Sequence, residues 1–210
     1  MNQKHLWDTL ARTDARYFIN SDFGKKITER EFIKSGMADY NRLIRDDKLL
    51  PKGGTILEIG CGTGRMTAFM KFHYKKVIGT DISKEMIRQG NERLYLDAGN
   101  MPEVTLYETD GETLPVPDNS VNVVFSYLVF QHIKDRIMVV RNFEEAYRVL
   151  VSGGIFKVRL RTDDIKDMNR WWAGVNYSPE TAKYLYSPLG FHLVKLEMVE
   201  HYGMWLWLKK

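Results

Sequence analysis

A doubly wound α/β fold around a mostly parallel sheet is what this 210-residue chain predicts, and three observations predict it. From Thr55 onward, apolar runs of strand length alternate with stretches of helical periodicity, the pattern of a βαβ chain. Four of those runs are near-continuously apolar, as strands buried on both faces are. The last two runs, FHLVKLEMVE and MWLWLKK, are separated only by His201, Tyr202 and Gly203. That connection is too short for a parallel crossover, so the tail must be an antiparallel hairpin.

Taken in order, residues 1–50 read as helical, with Phe32, Ile33, Met37, Tyr40, Leu43 and Ile44 recurring at helical spacing. Pro51 and the pair Gly53-Gly54 break that pattern, which sets an N-terminal helical segment, 1–50, against a main domain, 51–210. TILEIG (55–60) reads as a strand and is followed by a helix over 64–74. KVIGTD (76–81) is the second strand, and the helix SKEMIRQGNERLYLD opens on Ser83 as cap. VTLYET (104–109) is the third strand, GETLPVPDNS a loop, and VNVVFSYL (121–128) the fourth strand. Residues 135–150 form a helix with apolar Ile137, Val140, Phe143, Ala146, Tyr147 and Leu150, and GGIFKVRL (153–160) is the fifth strand. In MWLWL, Trp205 and Trp207 share one face and Leu206 and Leu208 the other, so this strand belongs inside the sheet and not at its edge.

Composition narrows the partners. With 44% hydrophobic and 28% charged residues the chain has the make-up of a folded domain with a sizeable core. The net charge of +4 is spread without a block of like charges, so no nucleic-acid partner is expected. No apolar run approaches the ~18 residues of a membrane span, and MNQKHLWDTLARTD carries no secretory h-region, so a cytoplasmic location and no membrane partner are expected. One cysteine, Cys61, excludes an internal disulfide and any cysteine-ligated zinc or iron–sulfur centre. The five histidines show no metal spacing, so no metal is expected.

The chemistry sits in Ile56-Leu57-Glu58-Ile59-Gly60-Cys61-Gly62-Thr63-Gly64-Arg65, where a strand turns into a helix. Glycines there permit a tight turn and close approach of a ligand to the backbone. A dinucleotide fingerprint would put glycines at 60, 62 and 65. Position 65 is Arg instead, and its side chain would obstruct the close helix–strand packing that such a site needs. Asp81 ends the second strand, 17 residues after Gly64, where a carboxylate accepts hydrogen bonds from two ribose hydroxyls. Asp110-Gly111 ends the third strand, where an adenine edge would lie. All three elements lie at carboxyl ends of parallel strands, the ligand edge of an open α/β sheet.

With these elements in register the chain resembles a class I S-adenosylmethionine (SAM) dependent methyltransferase of the small-molecule type. The resemblance covers about residues 51–208 and rests on EIGCGTG, VIGTDIS, TDGETLPVPDNSVNVVFSYLVFQHI, EEAYRVLVSGGIF and the final GF with its hairpin. It implies a Rossmann-like seven-stranded sheet of order 3-2-1-4-5-7-6 with strand 7 antiparallel, and an N-terminal helical extension. It implies SAM as cofactor and S-adenosylhomocysteine as product. By the same resemblance Glu58, Gly60, Cys61 and Gly62 line the methionine end of SAM. Asp81 holds the ribose, Ile82 packs on the adenine, Asp110 and the Gly111 backbone hold the adenine edge, and Ser126 faces the methionine moiety. The chain departs from adenine- and amino-directed relatives, which carry an Asn/Asp-Pro-Pro-aromatic turn where it has Ser126-Tyr127-Leu128-Val129. It also lacks the acidic ligand that metal-dependent catechol-type enzymes carry there.

The implied activity is methyl transfer to an O or N of a small or medium-sized acceptor, with residues 1–50 as a lid over the site. On the acceptor side, His132 is a candidate general base or a helix-start packing residue, and Tyr17 a candidate partner for it across the acceptor. Trp171 and Trp172 form either an aromatic wall for substrate or a core anchor. In strand five every second residue is basic: Lys157 is expected to pair with carboxylates of neighbouring helices. Arg159 and Arg161 either do the same or bind an anionic group of the acceptor. Asp163, Asp164, Asp167 and Asn169 are a cation site or a solvated loop, and Cys61 a reactive thiol or a small residue filling the turn. Two rival classes stand beside this reading, a protein or peptide methyltransferase and a non-catalytic SAM sensor of the same fold. A nucleotide-dependent oxidoreductase is opposed by Arg65.

Overall fold

The computed structural model describes residues 3–20, 27–95, 103–163, 167, 169–199 and 203–210. Leu96, Asp97, Asp164, His201 and Tyr202, which the sequence assigned to a helix, a cation cluster and the hairpin turn, lie outside the described residues. The strands form a seven-stranded sheet of order β3-β2-β1-β4-β5-β7-β6, the order the resemblance implied. The chain divides into two compact units, Met1–Asp110 and Gly111–Lys210.

In the first unit, α1 (Gln3–Ile19) and α2 (Glu29–Tyr40) precede three parallel strands. Asp14, inside α1, leaves helical geometry (φ −166°, ψ 84°), and its carboxylate accepts from the Tyr17 N–H at 3.2 Å, so it restarts the helix. A capping box, with Thr28 as cap and Glu31 reaching back, starts α2. This helix continues as one π-helical stretch, Asn41–Arg45. The strands are β1 (Thr55–Ile59), β2 (Lys76–Asp81) and β3 (Glu103–Glu108), with Glu58 beside Gly79 and Asp81 beside Glu108. Between them lie α3 (Thr67–Met70) and α4 (Lys84–Tyr95). The helix expected over 64–74 is thus one turn long. Gly64 has φ +75°, and Phe69, Phe72 and His73 bond to carbonyls three residues back, so tight turns replace its two ends.

In the second unit, β4 (Val121–Ser126) and β5 (Leu150–Leu160) pair in parallel around α5 (Arg136–Val149). Leu128, with φ +60°, ends β4 sooner than the sequence suggested. Asp135 caps α5, whose buried stripe is Val139, Asn142, Phe143, Ala146 and Val149. Ile137 and Val140, expected on that face, are exposed; the side of α5 buried in the fold is set by Phe143, which packs edge-on against Phe130 and Phe156. After α6 (Pro179–Tyr186), β6 (His192–Val199) and β7 (Gly203–Lys209) form the antiparallel hairpin. Also paired with β5, β7 is interior, and Trp205, Leu206, Trp207 and Leu208 are all buried.

Candidate functional site

Strand β1 delivers Glu58 into the core and then turns on glycines with φ of +74° at Gly60, +55° at Gly62 and +75° at Gly64. These values put the turn in the left-handed region, which glycine enters without steric cost. A Cβ at Gly62 would also stand 2.9 Å from Cδ1 of Ile19, at the end of α1, and would push that side chain aside. Cys61 is buried in a cluster with Ile87 and Leu106, and burial pushes its thiol pKa up.

Asp81 is tied to that turn. Its Oδ2 accepts from the Gly62 N–H and its Oδ1 from the Ser83 N–H, both at 2.9 Å. Burial pushes its pKa up to about 6, against the backbone hydrogen bonds, which pull it down. Glu58 is fully buried, accepts a hydrogen bond from the Thr67 hydroxyl at 2.5 Å, and is pushed up to about 7 by desolvation. Ile82 is half-buried beside Asp81, and Asp110 is exposed past the end of β3.

The N-terminal helices meet this loop. Oδ1 of Asp8, on α1, accepts from the Ser83 hydroxyl at 2.7 Å and from the Glu85 N–H at 3.1 Å, while Oγ of Ser83 accepts from the Met86 N–H. The start of α4 is therefore capped twice, once by its own serine and once by α1. Trp7, Ala11, Ala15 and Ile19 pack with Met86. Arg65, read from sequence as an obstruction, is buried and points to α2, where it bonds Asp39 at 2.8 Å and the Ser35 hydroxyl at 3.2 Å. Tyr17 is half-buried on α1, edge-on to Phe18.

In the second unit, the Gly111 carbonyl accepts from Asn142 of α5 at 2.7 Å, and Ser126 is fully buried at the end of β4. Tyr127 stacks on Trp205 at 5.5 Å between centroids. The 3₁₀ turn Phe130–His132 follows. Nδ1 of His132 lies 3.1 Å from the Trp172 carbonyl oxygen, and its ring stacks on Trp171 at 5.8 Å. Burial, with the Arg161 charge nearby, lowers its pKa to about 4, so the ring is neutral at physiological pH. Gly174 packs against the backbone before His132: a Cβ there would meet the Gln131 carbonyl oxygen at 2.4 Å.

Lys157 and Arg159 share one face of β5, Arg161 follows the end of the strand, and the three have different surroundings. Lys157 is buried with its ammonium 4.9 and 4.6 Å from the ring centroids of Trp205 and Trp207. Arg159 is half-buried and lies over the Tyr127 ring at 5.7 Å. Arg161 is buried, pairs with Asp163 through Nε at 2.6 Å and Nη2 at 3.2 Å, and lies over the Trp172 ring at 5.1 Å. Asp167 and Asn169 are exposed, Asp167 bonding Arg170 and the Asn169 N–H. Among the described residues no group of His, Cys, Asp and Glu is placed to hold a metal ion, and no helix is long and apolar enough to cross a membrane.

The structure thus brings Glu58, Gly60, Cys61, Gly62, Asp81 and Ile82 together in the first unit, and His132, Trp171, Trp172 and Arg161 together in the second. Sequence reasoning missed Asp8, Thr67 and Asp39. An Asp on the first amphipathic helix carries no local signal of the helix end it will cap.

Residues 57–158 match the family model described as Methyltransferase domain. The malonyl-[acyl-carrier protein] O-methyltransferase of Hamiltonella defensa is 26% identical over 135 residues, 64% of this chain and 48% of that protein. The ubiquinone/menaquinone biosynthesis C-methyltransferase of Escherichia coli is 30% identical over 118 residues, 55% of this chain and 45% of that protein. The chain therefore spans about half the length of the curated relatives it matches. Magnesium protoporphyrin IX methyltransferase from Synechocystis PCC 6803, solved with bound SAH, superposes with a TM-score of 0.64 over 95% of this chain and 100% of that one. At 14% identity that likeness is one of fold.

Proposed function

From a methyltransferase-family segment at residues 57–158, within the fold of class I SAM-dependent methyltransferases, we propose that this protein moves a methyl group from SAM to an O or N of a small or medium-sized acceptor. The observation that carries the reading is the coupling of Asp81 to Gly62. The carboxylate ending β2 is locked by a backbone N–H onto a glycine turn whose left-handed backbone disfavours any side chain, so charge and cradle are one device. Each oxygen of Asp81 accepts one backbone N–H and keeps capacity for a ribose hydroxyl.

In this reading Glu58, Gly60, Cys61 and Gly62 line the methionine end, Asp81 holds the ribose, and Ile82 packs on the adenine. Asp110, Gly111 and Ser126 are the remaining cofactor candidates. Bound SAM supplies a methyl carbon already activated by a sulfonium, so the protein has to align the acceptor and exclude water. No metal takes part. His132 and Tyr17 are the candidates for handling the acceptor's proton, Trp171 and Trp172 for its wall, and Arg159 for an anionic group on it, Arg161, the other candidate for that group, being already gripped by Asp163. Residues 1–50 act as the lid of a SAM-binding domain over 51–210, supported by the contacts of Asp8 and Ile19 with the cofactor loop. Cytoplasmic residence without a nucleic-acid or membrane partner completes the proposal.

Calorimetry with SAM and S-adenosylhomocysteine, followed by acceptor screening with methyl-labelled SAM, tests it. SAM binds, and Asp81→Ala weakens it by about 1–3 kcal/mol through lost charge-assisted hydrogen bonds. Tight NAD binding without a response to SAM overturns the reading. SAM binding without turnover on any small acceptor moves it to a sensor, and turnover confined to peptides to a protein methyltransferase.

A further inference from the structure

Outside the cofactor loop, a polar network joins His132 to the segment after β5. The Trp172 carbonyl, 3.1 Å from Nδ1 of His132, can only accept, so Nδ1 carries the hydrogen. On the other ring nitrogen, the Gln131 amide nitrogen lies 3.2 Å from Nε2 and donates to its lone pair. Both partners select the same neutral tautomer, with Nε2 as the acceptor.

That carbonyl is itself held. Nη1 of Arg161 lies 3.4 Å from the same oxygen, the guanidinium covers the Trp172 ring at 5.1 Å, and Asp163 grips it with both carboxylate oxygens. Backbone bonds knit the frame: Val175 N–H to the Ile133 carbonyl at 2.8 Å, Tyr177 N–H to the Arg161 carbonyl at 2.9 Å, and the Asn176 side chain to the Asp163 carbonyl at 3.0 Å. Gly174 adds close packing, since a Cβ there would stand 2.8 Å from the His132 carbonyl carbon.

We propose that Arg161 and Asp163 are positioning residues, holding the Trp172 carbonyl against Nδ1 of His132 so that Nε2 keeps the accepting lone pair, on which the acceptor's O–H or N–H takes the place of the Gln131 amide. This rests on the reading of His132 as the group that takes the acceptor's proton. The acceptor oxygen or nitrogen forms its bond to the methyl carbon as the carbon–sulfur bond breaks toward sulfur, and its proton passes to Nε2. An acceptor atom becomes far more acidic as it is alkylated, so an imidazole of depressed basicity suffices. Arg161 then acts through His132 and not as an anion contact. Its cation also keeps the ring neutral before the acceptor arrives.

The test uses the full chain labelled with ¹⁵N-histidine, with His132→Gln to assign its signal among the five histidines. The wild type carries its proton on Nδ1. In Arg161→Met the ring becomes a tautomer mixture with a raised pKa, kcat falls about 10-fold, and SAM affinity and acceptor KM stay put. Arg161→Lys restores part of kcat, and Asp163→Asn reproduces the Arg161→Met signature at smaller amplitude, which serves if Arg161→Met does not fold. A wild-type ring protonated on Nε2, or an unchanged tautomer in Arg161→Met and Asp163→Asn, overturns the positioning role. Full kcat in His132→Gln instead overturns the proton-accepting reading beneath it, whatever the tautomer shows.

Discussion

In the first unit two carboxyl groups, Glu58 and Asp81, gather at the glycine turn, whereas in the second three cations line up along β5 and just past its end, and the two sets are held by different means. Around the glycine turn, Glu58 and Asp81 are held by a hydroxyl and by backbone N–H groups, with burial lifting both pKa values. On β5 and just past its end, Lys157, Arg159 and Arg161 lie over the rings of Trp205, Trp207, Tyr127 and Trp172, and Asp163 grips Arg161 with both carboxylate oxygens. A carboxylate can use short backbone donors close in sequence. A buried cation needs acceptors or ring faces, and in a sheet these come from neighbouring strands. Both sets depend on strand neighbours: Asp81 of β2 meets the turn that follows β1, and Lys157 of β5 meets ring faces of β7, while Arg161 takes its carboxylate from two residues on.

The largest effect that would break this comparison is in the second unit. Trp205 stacks with Phe125 and Tyr127 and faces Lys157, so Trp205→Ala leaves both a cavity and a buried ammonium short of a ring. A loss of about 3–5 kcal/mol in urea unfolding is expected. A loss under about 1 kcal/mol would mean that the rings contribute little to holding the cations.

Next comes the pH behaviour of the first unit. Between the usual carboxylate range and about pH 7, folded Glu58 keeps a proton that the unfolded chain has released, so stability falls as pH rises through that window. Asp81, raised to about 6, acts in the same direction. Glu58→Gln keeps the shape and the acceptor for Thr67 while removing Glu58's share of the titration. Without ligand, it should match the wild type near pH 4 and exceed it at pH 8 by on the order of 2–3 kcal/mol. A difference between the two proteins that does not change with pH would refute the buried-carboxylate account.

The smallest effect concerns the cap supplied from a distance. Asp8→Ala should cost about 1 kcal/mol and speed amide exchange over Gln3–Ile19 and at the start of α4, while β4 to β7 keep their protection. Uniform loss of protection through both units would show that α1 supports more than the cofactor loop.

The same contrast explains what could be read in advance. The sheet order, the hairpin and the interior place of β7 followed from apolar runs and connection lengths, which act over short stretches of chain. Gly62 and Asp81 were legible because their geometry is fixed by the strand ends on which they sit. Arg65 was noticed for what it excludes, whereas its partners Asp39 and Ser35 lie on a helix whose packing no local pattern records. Lys157, Arg159 and Arg161 were legible as an anomaly in a central strand. The ring partners of Lys157 depended on its pairing with Trp207, a register set only when β7 docks, and those of Arg159 and Arg161, Tyr127 and Trp172, lie after β4 and in the segment after β5. His132 was named from its place after β4, but the carbonyl that sets its tautomer belongs to Trp172, forty residues on.

Strand β6 ends the sheet, and its exposed face carries Leu193, Val194 and Met198. An open edge of that composition is a template on which an extended segment of another chain can add itself and propagate aggregation. Two features oppose this. The ladder to β7 slips between Leu193 and Lys195, so the edge is kinked, and Lys195 and Glu197 place an ion pair on it. An incoming strand would have to flatten the kink and desolvate the pair. These two residues, remote from any methyl transfer, therefore guard the protein's solubility, and exchanging both for apolar residues would turn the last hairpin into a seed for self-association.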